Sequence, residues 1–169
     1  MVKFLALIGF LAIVIAVVAA VFFFGGFYSV AATEKEPAIV ESMLIQVRQA
    51  SIARQAKGLT EPPESDETVR SGARAFSTRG CVNCHGAPDV EWAKWSEGLQ
   101  PDPPDLKEVA GQRSRSELFW VIKNGIKMTG MPSFGATGAS DDEIWTITSF
   151  VKRLPTVKPE EYKAWTAAP

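Results

Sequence analysis

From Phe4 to Phe24 the chain is apolar and carries no charge. At 1.5 Å of rise per residue such a run makes a helix of about 31 Å, the thickness of a bilayer's hydrocarbon core. Ser29-Val30-Ala31 has the small-x-small form of a signal cleavage site. A cleavable signal, however, has an apolar core of only about 7–15 residues, so the expectation is a retained membrane anchor. Lys3 before the run favours a cytoplasmic start, with everything after Gly25 outside. Phe22, Phe23, Phe24, Phe27 and Tyr28 then fall at the outer interface, where aromatic rings are enriched. Beyond this point apolar positions recur in steps of three and four. Val40, Met43, Leu44, Val47 and Ala50 predict an amphipathic helix over 37–57, resting on the domain that follows, on a membrane surface or on a partner. Glu61-Pro62-Pro63-Glu64-Ser65 reads as a short stiff linker. A helix over 66–79 carries Val69, Ala73 and Phe76 on one side, with Asp66 and Glu67 at its positive end and Arg79 at its negative end. Gly72 weakens that helix, which predicts close approach of another. Leu118, Phe119 and Ile122 mark a helix over 114–123. Ser140, with Glu143 three residues on, predicts a capping box opening a last helix whose stripe is Ile144, Ile147, Phe150 and Val151. Residues 92–106, rich in Pro and Trp, read as loop, and 156–169 as a loose tail. The fold class expected is all-α: an anchor over 1–28, an amphipathic helix and linker over 29–65, a compact domain over 66–155 and a C-terminal tail over 156–169.

Composition narrows the function. Eighteen basic and nineteen acidic side chains nearly cancel, which gives a nucleic-acid partner no support. There are two Cys and one His, and they fall together as Cys81-Val82-Asn83-Cys84-His85. Two thiols at this spacing can each add to one vinyl group of a haem, and the adjacent imidazole then lies beneath the iron. Structural zinc would need a fourth protein ligand, and neither a second Cys pair nor another His exists. A thioredoxin-like pair expects a βαβ pattern that the chain lacks. A disulfide across two residues is strained and leaves His85 unexplained. One covalent haem, haem c, is therefore expected at Cys81 and Cys84, with His85 on the iron. With no second imidazole, the sixth position is Met, a weaker donor or vacant. Met1 lies across the anchor and Met43 on the linker-side helix. Of the remaining two, Met131, between Gly130 and Pro132 in a segment that cannot be helical, is the expected axial ligand. Met128 is expected to pack around the haem edge.

The helix leading into Cys81–His85, the Gly-Met-Pro loop at Met131 and the helix over 140–154 make residues 66–155 resemble the small class I, monohaem cytochrome c domains. The run 122–134 resembles bacterial cytochromes tethered by one N-terminal transmembrane helix. Gly26-Phe27-Tyr28-Ser29-Val30-Ala31-Ala32 resembles the segment after their anchor. The resemblance implies a cytochrome c fold around one haem. Its first and last helices cross, with Gly72 and Phe76 meeting Trp145 and Phe150. It implies a proline carbonyl, from Pro88, Pro101, Pro103 or Pro104, that orients His85. It implies haem attachment outside the cytoplasmic membrane, hence a single-pass inner-membrane protein with a periplasmic haem domain. The function expected is single-electron transfer between redox protein partners, not catalysis. The chain would be a subunit of a respiratory or dehydrogenase complex, alongside a membrane oxidoreductase or terminal oxidase, with lipid contact through the N-terminal helix. The alternative is a haem-based ligand-binding or peroxidase-like protein with a labile sixth ligand, which would need distal donors that a chain with one His cannot supply from imidazole.

Candidate haem-pocket residues are Leu99, Leu106, Leu118, Phe119, Ile122, Phe134 and Ile147. Trp92, Trp95 and Trp120 are candidate donors to the haem propionates. Lys123, Lys127, Arg113 and Arg115 are expected to form a basic rim that steers an acidic partner.

Overall fold

A computed structural model describes residues 1–167 of the chain, which forms two compact units, Met1–Glu34 and Lys35–Pro169. The first unit is built on α1 (Val2–Phe24), long and apolar enough to cross a membrane and without one buried residue. Phe22 meets Phe27 and Tyr28 just past its end, with ring centroids 6.5 Å apart in both pairs.

The second unit contains α2 (Ala38–Gln55), α3 (Asp66–Thr78), α4 (Cys81–His85), α5 (Leu106–Gln112), α6 (Arg115–Asn124), α7 (Asp141–Arg153) and α8 (Pro159–Thr166). Among the described residues there is no strand, only an isolated bridge between Ala87 and Val90. The all-α class is therefore as expected, and the helix starts follow their caps. Ser65 accepts from Thr68 N at 3.2 Å while Thr68 Oγ1 accepts from Ser65 N at 2.9 Å, a reciprocal box at the start of α3. Ser114 and Glu117 do the same for α6. At α7 the box is only half formed. Ser140 Oγ accepts from Glu143 N at 3.2 Å, but the Glu143 carboxylate takes two hydrogen bonds from Arg79, at 2.8 and 2.6 Å, and does not turn back. A bidentate guanidinium is a stronger partner than one backbone N–H, so it wins the carboxylate.

The core lies where α3 crosses α7. Phe76 and Phe150 meet at 5.2 Å between ring centroids, flanked by buried Val69, Ala73, Ile147 and Val151. Gly72 is the crossing point. A Cβ there would run into the backbone carbonyl of Thr146 and lie 2.9 Å from Phe150 Cβ. Glycine is required because the two backbones touch. Trp145, expected on this face, instead stacks on Phe119 of α6 at 4.1 Å and 17°.

One further expectation is corrected. The C-terminal segment is not loose through its length: Pro159 opens α8, Tyr162 stacks on Phe150 at 5.7 Å, and Trp165 packs on the core. The short Pro-rich linker is itself held to the domain. Arg115 donates to Pro62 O at 3.0 Å, Glu61 accepts from both the backbone N and the hydroxyl of Ser116, and Arg153 pairs with Glu64 at 3.3 Å. Ile52 and Ala56, at the C-terminal end of α2, are buried in the same unit.

Candidate haem site

Gly80, at φ 77° in the left-handed region, turns the chain from the end of α3 directly into α4. A side chain disfavours that conformation, so the glycine sets the angle at which the chain enters α4 at Cys81. Gly86 (φ 63°) closes α4, and a Cβ on it would lie 2.9 Å from Val90 O. The loop beyond is held tight by Ala87 and Val90, which exchange two backbone hydrogen bonds of 2.9 Å, and by Ala93 N donating to Asn83 O at 2.8 Å. Cys81, Cys84 and His85 therefore stand on one short, pinned helical turn.

Both cysteines are unpaired thiols, Cys81 buried and Cys84 half-buried. Burial pushes the Cys81 thiol up to about 12 and raises that of Cys84. A pocket that resists a thiolate is suited to an uncharged sulfur, and a thioether is uncharged at every pH. Nδ1 of His85 lies 3.0 Å from the carbonyl oxygen of Pro104. A carbonyl can only accept, so Nδ1 carries the proton and Nε2 keeps its lone pair. Burial lowers the imidazole's proton affinity and so favours the neutral ring, while the Pro104 contact acts in the opposite direction. Of the four prolines left open by the sequence, the structure places Pro104 against the ring. An open cleft of about 450 Å³ beside the imidazole is lined by Trp92, Asp105 and Lys107 among others.

The loop carrying Met131 is built against the end of α6. Phe134 N donates to Ile122 O at 3.2 Å, Gly135 N to Lys123 O at 3.0 Å, and Ser133 Oγ to Lys123 O at 2.7 Å, so the loop satisfies carbonyls that the helix end leaves free. Thr129 Oγ1 accepts from Met131 N at 3.1 Å, and Ile126 N donates to Met131 O at 3.2 Å. Met131 is partly buried and packs on the hydrophobic core. Met128 does not pack as expected. It is 95% exposed and its φ is 58°, which turns its side chain to solvent.

The remaining predicted residues separate. Ile122 and Phe119 are buried; Leu106 and Phe134 are partly buried against the same core. Phe119 lies in the α6–α7 seam, between the Trp145 ring and Lys123, whose Nζ is 5.6 Å from the Phe119 ring. Trp92 and Trp95 are 53% and 61% exposed, and the Trp92 indole donates to Glu97 Oε1 at 3.3 Å. The expected basic rim is mostly neutralised: Lys123 pairs with Asp141 at 2.7 Å, Arg113 with Glu117 at 3.6 Å, and Arg115 with Glu61 and Glu64 at 3.7 Å each. Three supports escaped the sequence reading: the Arg79–Glu143 pair, the Ser133 clamp on α6 and the Thr129 turn. Only the last has a local signal, a threonine two residues before the methionine it holds.

Two unpaired thiols and an imidazole whose Nδ1 meets a carbonyl share one pinned turn, and the Met131 thioether stands in a separate braced loop. Residues 67–151 match the family model described as cytochrome C oxidase, cbb3-type, subunit III. No curated protein matches the chain.

Proposed function

Starting from a chain that belongs to the family of cytochrome c oxidase, cbb3-type, subunit III, we propose a membrane-anchored monohaem electron carrier. It passes single electrons between redox partners on the periplasmic side, as a subunit of a respiratory or dehydrogenase complex. The family is one of haem-based electron carriers. The observation that carries it is the Nδ1–H of His85 donating to Pro104 O on the same short helix as two free thiols.

Cys81 and Cys84 would hold haem c through two thioethers, and His85 and Met131 would ligate its iron. Haem c bound there supplies one-electron chemistry, the iron alternating between two oxidation states. The protein's residues set the conditions. Pro104 fixes the His85 ring and its tautomer, so Nε2 would be left free to donate to the iron. Thr129 and Ser133 brace the Met131 loop, and a thioether supplied by Met131 would raise the reduction potential relative to a second imidazole. Ile122 and Phe134 add apolar surface, and an apolar wall disfavours the more charged oxidised form.

A denaturing gel stained for haem peroxidase activity, read with the pyridine haemochrome spectrum, tests the proposal. Covalent haem at one per chain, with a methionine–iron charge-transfer band at the red end of the oxidised spectrum, is the expected result. Absence of retained haem, or a high-spin spectrum, would overturn it.

A further inference from the structure

The amphipathic helix α2 has no part in the electron-carrier reading, yet the structure fixes it to the haem domain. Ile52 and Ala56 are buried, and the segment after the helix is held by Arg115 on Pro62 O, by Ser116 on Glu61 and by Arg153 on Glu64. At 100° per residue, Ile52 and Ala56 lie on one side of the helix. Ile39, Val40, Met43, Leu44 and Val47 share an arc of about 140° on the other. All five are exposed, Met43 by 61% and Val47 by 66%. This is a contiguous apolar face with nothing of the chain's second unit upon it, and such faces mark interaction sites. Arg54 and Lys57 extend the same face at its C-terminal end, and no ion pair within 4 Å occupies either of them among the described residues.

The charge pattern selects the occupant. A second copy seated face to face in parallel would bring like cations together at the end of the seam. A lipid surface takes both parts: acyl chains receive the aliphatic side chains and phosphates receive the cations. The tether is compatible, because residues 25–37 reach at most about 45 Å from the end of α1 even when fully extended. We propose that the outward face of α2 lies in the headgroup–acyl boundary of the membrane, with Ile39, Met43, Leu44 and Val47 among the lipid chains and Arg54 and Lys57 on lipid phosphates. The proposal rests on the reading of α1 as a retained anchor. Its consequence is that the haem domain is held at the bilayer surface and does not swing through the full length of its tether.

The test uses the full, haem-loaded chain in nanodiscs of phosphatidylcholine with phosphatidylglycerol. Spin labels are placed on V14C in α1, M43C in α2 and K163C in α8, each with an absorption spectrum matching the unsubstituted protein. Accessibility to oxygen, which concentrates in lipid, is compared with accessibility to a water-soluble nickel chelate. The expected result is that V14C and M43C are reached several-fold better by oxygen than by nickel, and K163C the reverse. Lipid-exposed V14C with nickel-accessible M43C would overturn the proposal and leave the anchor standing. Nickel-accessible V14C would overturn the anchor reading and this proposal with it. M43C shielded from both reagents would mean that protein covers the face, and would also overturn it.

Discussion

Met128 and Met131 lie in one loop, and the backbone places their side chains in opposite surroundings. Thr129 Oγ1 accepts from the Met131 amide, and Ile126 N donates to the Met131 carbonyl, so Met131 is pinned against the core. Met128 sits at φ 58° and is 95% exposed. A left-handed residue with a Cβ costs roughly 1–2 kcal/mol, and glycine relieves that while giving back about 0.5–1 kcal/mol of unfolded-chain entropy. Met128→Gly is therefore expected to leave the visible spectrum unchanged and to keep or raise stability by roughly 0.5 kcal/mol. Met131→Ala is expected to remove the methionine–iron band, lower the reduction potential and cost about 2 kcal/mol of stability through lost packing. Absorption spectra and denaturant midpoints on the two variants decide it, and the assignment of Met131 fails if it is Met128→Gly that loses the band.

The helices meet through contacts of two kinds, close backbone packing and charge, and each kind makes its own prediction. At the α3–α7 crossing, Gly72→Ala puts a methyl group into the Thr146 carbonyl, which must move the helices apart. Overpacking of this kind costs about 3 kcal/mol, visible as a lower denaturant midpoint with an unchanged slope. Arg79 and Glu143 join the ends of the same two helices. The hydrogen bonds from Arg79 hold the Glu143 carboxyl below its usual range. The folded pKa is depressed, so the stabilisation is complete above the unfolded carboxylate value of about 4.3 and is lost as pH falls through the lower folded value. Glu143→Gln should therefore melt below the unsubstituted protein at neutral pH, and the gap in Tm should close as the solution is acidified past that window. A gap that stays constant down to the acid limit would show that the pair does not act through ionisation. At this scale the sequence was legible wherever a cap or a stripe is local: Ser140 was read as a helix start and opens α7, and Gly72 announced its crossing. It was illegible where a partner comes from far along the chain. Glu143 looked like the second half of a capping box until Arg79, 64 residues away, claimed its carboxylate. The helix at 159–166 had Pro159 at its first position and Glu160 and Glu161 in its first turn, both local start signals, but its stabilising contact is Tyr162 on Phe150, a tertiary event.

Across the whole molecule, Cys81, Cys84 and His85 could be read as a unit because they adjoin along the chain and share one helical turn, whereas the surface that a partner meets was not legible. Lys123, Lys127, Arg113 and Arg115 are neighbours in sequence and read as a basic rim, yet sequence cannot say which cations the fold has already matched. Lys123 lies 2.7 Å from an Asp141 carboxylate oxygen, and both arginines have acidic neighbours of their own. Opposite charges this close act on a distant partner as a dipole, and beyond a Debye length of about 10 Å at 0.1 M salt little field survives. Lys127 is exposed and has no ion pair among the described residues, next to the loop that carries Met131. Any electrostatic steering toward an acidic partner at this edge should pass chiefly through that one side chain. Stopped-flow electron exchange with a small acidic redox protein, measured from 20 to 200 mM salt, would then show a shallow decline that Lys127→Ala removes. Lys123→Ala, which frees Asp141 as it removes the cation, should slow exchange at low salt by less than about threefold, in keeping with the few tenths of a kcal/mol typical of exposed pairs. A steep salt dependence surviving Lys127→Ala would mean that steering arises elsewhere on the surface, and the single-cation account of this edge would fall.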